Sequence, residues 1–147
     1  NTATMVGAGM AAISLGTGVT PAQREFVAGF LAKSGQVVEV AEELQDAVTA
    51  TSGSGPAYFF AFVEAMVAGA KDLGLSSEVA TQLTVQTLVG AAKLLAESGK
   101  SATELRENVT SPNGTTAAAL NSFSDGDLTE LVAKSMKAAR DRSIELA

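Results

Sequence analysis

The chain has 147 residues, the usual size of one domain, and 46% of them are hydrophobic, enough to build a core. Its formal net charge is −6 and no stretch concentrates basic residues, which argues against nucleic acid and anionic membranes as partners. Cysteine and histidine are absent, which excludes thiol nucleophiles, imidazole bases and the usual zinc sites. We therefore expect no metal site, and any chemistry must use hydroxyls, carboxylates, lysines, backbone amides or a bound cofactor.

The N-terminal segment predicts a strand–helix–strand unit over residues 12–40. Val6–Ala12 superficially fits a dinucleotide-binding glycine turn, but nothing long enough to be a buried strand precedes it. We interpret it as a glycine-rich connector. Ile13–Gly16 and Gln36–Val40 are the predicted strands, and between them Thr20 caps a helix that begins with proline. A sheet of two short strands is not stable by itself, so we expect the chain to be part of a longer protein.

Two long helices follow a short acidic segment. Thr51–Pro56 is a polar break that opens the first, whose phenylalanine and methionine stripe is typical of core packing. The second, from the cap at Ser76-Ser77-Glu78 to about Ser98, is apolar on nearly every side and must be covered all round. Its threonines and glutamines interrupt the run before it reaches membrane-spanning length, so we expect no membrane partner. A second subunit is then expected to cover part of this helix.

The C-terminal third predicts three more helices. Ser101-Ala102-Thr103-Glu104 is a capping-box pattern that opens a short helix to Asn108. A helix to about Phe123 and a last helix from near Asp127 follow, the latter with a basic face that we interpret as solvated. The pattern thus predicts a mainly α, oligomeric protein with a short strand–helix–strand unit at its start; the resemblance described below implies that this is a helical dimerisation domain preceded by a remnant of a dinucleotide-binding α/β domain.

The stretch Asn108–Thr116 carries the candidate chemistry. It holds four hydroxyl residues, a proline, a glycine and two amides in nine residues, immediately before an alanine-rich helix. Pro112 stiffens the approach, Asn113-Gly114 can adopt positive φ, and the free N–H groups of the helix start favour a carboxylate. The alternative is an ordinary connection between helices, capped by Thr115 or Thr116.

This stretch, together with Asp46–Thr49, Ser52–Tyr58 and the N-terminal segment, closely resembles the C-terminal half of pyrroline-5-carboxylate reductase. The resemblance implies reduction of the cyclic imine pyrroline-5-carboxylate to proline by NADPH or NADH in the cytoplasm. It also implies that the main nucleotide site lies outside this chain, in an N-terminal Rossmann domain. Residues 1–45 would be its remnant and 46–147 the helical domain, which interlocks in a homodimer that is often assembled further into decamers.

The resemblance also assigns roles within the loop. The substrate-binding residues would be Ser111, Gly114, Thr115 and Thr116, with the hydroxyl of Ser111 and the backbone amides of the other three on the carboxylate. The hydroxyl of Thr116 would lie near the ring nitrogen and orient the imine, as the catalytic residue. Asn108 and Val109 would border the nicotinamide.

Two residues depart from the family pattern, and two other functions remain open. Ala3 stands where the family usually has proline, and Asn113 stands where it usually has a second glycine. Asparagine tolerates left-handed backbone, so we expect the loop shape to survive. The alternatives are a stand-alone helical oligomerisation module without catalysis and a related imine or keto-acid reductase. On the reductase interpretation, this chain alone is expected to be inactive.

Overall fold

The computed structural model describes all 147 residues and is mainly helical, which confirms the predicted fold class. The strands are β1 (Gly9–Ile13) and β2 (Gly35–Glu39). The α-helices are α1 (Pro21–Leu31), α2 (Gln45–Val48), α3 (Gly55–Asp72), α4 (Ser77–Glu97), α5 (Ala102–Asn108), α6 (Thr115–Asp125) and α7 (Leu128–Leu146). The chain divides into two compact units, one of residues 1–58 and 133–147 and the other of residues 59–132.

The first unit contains a parallel pair of strands joined by α1. β1 and β2 pair in register from Gly9 opposite Gly35 to the last residue of each strand. Glycine is required at residue 35, because its φ is +153° and a Cβ there would overlap the backbone of Gly9. Thr20 and Gln23 form a complete capping box at the start of α1, with the Thr20 N–H donating to Gln23 Oε1 at 2.9 Å.

The position of the first strand corrects the sequence-based interpretation. Gly9–Ala12 lies within β1, so Val6–Ala12 is not simply a connector, and only Ile13 of the predicted strand Ile13–Gly16 belongs to the sheet. Three of the five residues of β1 are glycine or alanine and the strand shows no apolar–polar alternation, so strand periodicity was not visible in the sequence. What fixes the strand is its non-local pairing with β2, where two glycines allow the backbones to approach closely.

Residues 42–58 form a continuous helical path where the sequence suggested a short helix and a polar break. A 3-10 turn leads into α2, then into a π-helical segment, Thr49–Gly53, that runs up to α3. Hydroxyls donate to carbonyls of this path: Thr51 to Ala47 O in α2 at 2.7 Å and Tyr58 to Ala50 O in the π-helical segment at 3.0 Å. The polar side chains of the segment thus bond to its own backbone.

The end of α7 is tied to α2 within the first unit. The Ser143 hydroxyl donates to Asp46 Oδ1 at 2.6 Å, across 97 residues of sequence, and both residues are half-buried. A hydrogen bond to a carboxylate is stronger than one between neutral groups, so this contact helps to fix the C-terminal helix.

The second unit, residues 59–132, contains most of α3, all of α4, α5 and α6, and the start of α7. The predicted caps are confirmed: Ser76 accepts from the Val79 N–H, and Ser101 forms a capping box with Glu104. The rings of Phe62 and Phe123 pack with centroids 6.1 Å apart.

Helix α4 is poorly covered by its own chain. Only Ala80 and Thr84 of this helix are buried, at 0% and 5% exposure, whereas Leu83 is 54% and Val89 52% exposed. By length and composition alone α4 could cross a membrane, so the prediction that its polar residues make it too short for this is wrong. The core helix of a soluble protein passes the same test, and one such helix is weak evidence for a membrane protein.

Candidate functional site

The candidate loop connects α5 to α6 and contains all six predicted site residues, including those at the adjoining helix ends. The capping box at Ser101 starts α5, and the helix ends at Asn108. Thr110 closes that end, with its N–H donating to Glu107 O at 3.0 Å and its hydroxyl to Arg106 O at 2.6 Å. Both the N–H and the hydroxyl of Thr110 are therefore used to end α5, and the loop begins at this residue.

A tight turn shapes the loop. The Gly114 N–H donates to Ser111 O at 3.0 Å, with Pro112 and Asn113 at the two central positions of the turn. Asn113 has φ 59°, the left-handed conformation that a type II turn requires at its third residue. A Cβ on Gly114 would overlap Ser111 Oγ and lie 3.1 Å from Ser111 O. The turn therefore brings the Ser111 hydroxyl close to the start of α6.

The start of α6 has no side-chain cap. Gly114 is the N-cap residue, so the alternative that Thr115 or Thr116 caps this helix is wrong. The first helical hydrogen bond of α6 runs from the Ala118 N–H to Gly114 O at 3.1 Å. The three preceding N–H groups, those of Thr115, Thr116 and Ala117, have no partner in the chain.

These donors differ by one residue from the set that the resemblance assigned. The Gly114 N–H is used within the turn, and the Ala117 N–H, which sequence reasoning missed, is available. The signal was present in the order Ser111-Pro112-Asn113-Gly114, because such a turn directs the N–H of its fourth residue to the carbonyl of its first. The Ser111, Thr115 and Thr116 hydroxyls also make no hydrogen bond within the chain.

The electrostatic field at the loop comes from the backbone. No residue from Asn108 to Ser124 has a titratable side chain, so the positive potential at the start of α6 comes from its free N–H groups and the helix dipole. An anion is the ligand that this arrangement favours. The nearest perturbed group is Glu104, whose pKa is lowered by hydrogen bonds from the Ser101 backbone N–H and then the Ser101 hydroxyl.

The loop is open in the single chain. Ser111 and Asn113 are exposed, whereas Thr116 and Ala117 are half-buried. Val109, at the end of α5, is 64% exposed and offers an apolar surface beside the loop. The candidate site is thus open to solvent on the side of Ser111 and Asn113.

No large apolar side chain of these helices is fully buried within the single chain, which is the kind of surface that a helical dimerisation domain buries against its partner. A family model described as "Pyrroline-5-carboxylate reductase dimerisation" matches residues 42–146. The chain belongs to the pyrroline-5-carboxylate reductase family. The matched segment includes all of α4, which supports the interpretation that a second subunit covers its apolar faces.

Individual relatives agree with the family assignment. The chain is 44% identical to "Pyrroline-5-carboxylate reductase" of Mycobacterium tuberculosis, covering 99% of this chain and 55% of that protein. The solved pyrroline-5-carboxylate reductase of Coxiella burnetii matches with a TM-score of 0.97 and 38% identity over 100% of this chain and 55% of that one. The solved pyrroline carboxylate reductase of Plasmodium falciparum, with NADP bound, matches with a TM-score of 0.86 and 30% identity over 97% of this chain and 58% of that one. The chain thus spans about half the length of these relatives.

Proposed function

We propose that the protein containing this chain reduces 1-pyrroline-5-carboxylate to L-proline with NADPH or NADH, as an oxidoreductase of proline biosynthesis. Family membership supports this activity. The observation that carries the site assignment is the uncapped start of α6, where three free N–H groups lie beside the Ser111 hydroxyl. A substrate that carries a carboxylate matches these donors.

Different residues of the loop bind the carboxylate and the ring nitrogen of the substrate. The Ser111 hydroxyl and the N–H groups of Thr115, Thr116 and Ala117 bind the carboxylate, while Gly114 keeps the turn closed and leaves room for Ser111 Oγ. The Thr116 hydroxyl, which has no partner in the chain, orients the ring nitrogen. A threonine hydroxyl is a poor acid, so the proton on nitrogen comes from the iminium form or from water.

We place the nicotinamide at the end of α5, beside Asn108 and Val109. Val109 offers an exposed apolar side chain there, and the Asn108 carboxamide adjoins it without a hydrogen bond in the chain. When bound, the reduced cofactor supplies the hydride that the imine carbon accepts. We place the main nucleotide site outside this chain, in the part of the longer relatives that this chain does not cover.

The site is complete only in the whole protein. We place the enzyme in the cytoplasm as a homodimer, with decamers as a further assembly, and expect this chain by itself to be inactive. NADPH oxidation with pyrroline-5-carboxylate, measured for this chain and for the full-length protein, tests that expectation. Robust turnover by the chain alone would contradict it.

The loop assignment is tested by Ser111→Ala and Thr116→Ala in the full-length enzyme. Loss of a hydrogen bond to a charged group costs about 1.5–3 kcal/mol, so we expect kcat/KM to fall about tenfold or more, with the oligomer unchanged. Thr103→Ala is the matched control, because Thr103 is an exposed residue of α5 whose hydroxyl makes no hydrogen bond in the chain. Unchanged kinetics for both loop variants would remove the site assignment.

The exposed apolar helices also favour a second candidate, a helical oligomerisation module without catalysis. It predicts a dimer in light scattering, no binding of proline by the full-length protein and no turnover. A related imine or keto-acid reductase would instead reduce a substrate with a different ring or chain more efficiently than pyrroline-5-carboxylate.

A further inference from the structure

Asn113 has an unusual backbone conformation for its residue type. Only two residues other than glycine have positive φ, Asn113 at 59° and Asp127 at 53°. Asp127 has a structural role, since its carbonyl accepts the first helical hydrogen bond of α7 from Leu131. The Asn113 side chain is exposed and makes no hydrogen bond within the chain. Glycine would adopt this φ without strain, so the carboxamide is not needed for the turn.

The position of Asn113 places its side chain beside the start of α6. It is the residue before the N-cap, Gly114. Asn113 therefore lies two residues before Thr115, the first residue of α6, whose N–H is free. Ala118, one turn into the helix, is exposed and has only a methyl side chain. The Asn113 carboxamide is thus a second unpartnered polar group next to the free N–H groups along the chain.

We infer that Asn113 is a specificity-determining residue whose carboxamide N–H donates to the carboxylate of the substrate. The inference rests on the proposed function, because it adds one donor to the carboxylate site. An amide offers two N–H donors without a competing charge, and a hydrogen bond to a carboxylate is charge-assisted. Asn113 therefore favours cyclic imines that carry a carboxylate over ring imines that lack one.

Two substitutions in the full-length enzyme separate the carboxamide from the turn. Asn113→Gly keeps the left-handed conformation and removes the side chain. Asn113→Asp keeps the shape and tolerates the conformation, but it replaces the donor with a charge that repels a carboxylate. The assay compares pyrroline-5-carboxylate with 1-pyrroline, the same ring without its carboxylate. For pyrroline-5-carboxylate we expect KM to rise about fivefold in N113G and more than tenfold in N113D, with kcat nearly unchanged.

The same assay on 1-pyrroline shows whether the effect depends on the carboxylate. Kinetics on 1-pyrroline should be unaffected by either Asn113 substitution, whereas equal losses on both substrates would mean that Asn113 only shapes the loop, which overturns the inference. Ser111→Ala separates the role of Asn113 from the proposed loop assignment. If S111A raises KM for pyrroline-5-carboxylate and the Asn113 variants do not, the role of Asn113 is wrong and the proposed function stands. If S111A and T116A also change nothing, the proposed loop assignment itself fails.

Discussion

Gly114 determines the geometry of the loop between α5 and α6. Its N–H closes the turn onto Ser111 O, its carbonyl accepts the first helical hydrogen bond of α6, and its missing side chain leaves space for Ser111 Oγ. Its φ of −80° is open to any residue, so steric contact and not backbone conformation requires glycine here. A site on one short loop thus depends on a single absent methyl group.

Gly114→Ala should therefore impair substrate binding. The new Cβ would overlap Ser111 Oγ and crowd Ser111 O, which displaces the hydroxyl assigned to the carboxylate. We expect KM for pyrroline-5-carboxylate to rise about tenfold and the protein to lose about 1 kcal/mol of stability, because alanine is a poor N-cap. Steady-state kinetics and thermal unfolding measure the two effects.

Gly16→Ala is the control for this substitution, since a Cβ at Gly16 meets nothing within 4 Å and its φ is not positive. Its kinetics should match those of the unmodified enzyme. If G114A also retains its KM, the Ser111 hydroxyl does not bind the carboxylate in the way proposed.

At the level of elements, α5 is a helix of only seven residues that ends at Asn108, where the loop begins. Such a helix is marginal by itself and depends on its cap. The Glu104 carboxylate accepts from the Ser101 N–H at 2.9 Å and from the Ser101 hydroxyl at 2.8 Å. The capping box therefore supports the helix end from which the loop begins.

The contribution of this capping box should depend on pH. The hydrogen bonds from Ser101 lower the pKa of Glu104 in the folded protein. A lowered pKa means that the stabilisation is fully present above the unfolded-state pKa of glutamate and is lost as the pH falls through the folded value. We expect hydrogen exchange of the α5 amides to become faster over that acidic range. NMR titration of Glu104 measures its pKa directly.

Glu104→Gln provides the comparison, because glutamine accepts the same hydrogen bonds and does not titrate there. Exchange in α5 of E104Q should lack the Glu104-dependent step, apart from the intrinsic pH dependence of exchange. An identical step in both proteins would assign the pH dependence to another group.

At the scale of the whole molecule, the chain lacks a core of its own. Ala50 and Ala80 are its only buried hydrophobic residues, and no large side chain is fully buried. Burying large apolar side chains is the main favourable term in folding, and here most of them remain accessible. The match to a dimerisation family supports a partner subunit as the source of that term, since α3, α4, α6 and α7 all lie within the matched residues 42–146.

Unfolding should consequently depend on protein concentration. If folding and dimerisation are coupled, each tenfold rise in concentration stabilises the folded dimer by about 1.4 kcal/mol. Urea unfolding at several protein concentrations should show the urea midpoint rising accordingly.

Val89→Lys places a charge on the exposed apolar surface of α4 and should lower the urea midpoint and dissociate the dimer. Lys93→Ala, on the same helix but at an already solvated residue, should do neither. A midpoint independent of concentration would show that the chain folds without its partner.

Local chemistry made much of this structure predictable from the sequence. Thr20, Ser76 and Ser101 marked helix starts correctly, because a cap is a contact between residues three apart. The polar loop at Ser111 was identified for the same reason, from turn residues placed before a helix. Two features were missed: β1, which is defined by its non-local pairing with β2, and the π-helical segment, to which the Tyr58 hydroxyl bonds eight residues from its acceptor.

The sequence by itself determined the helical class, the caps, the family resemblance and the stretch in which a carboxylate site was expected. The turn that uses the Gly114 N–H and leaves the Ala117 N–H open is also local, so the sequence carried its signal. Only the tertiary structure decided the pairing of β1 with β2 and how little of α4 the chain can cover itself. The physical reason is that strand pairing and burial join residues far apart in sequence, so both are fixed only when the chain has folded.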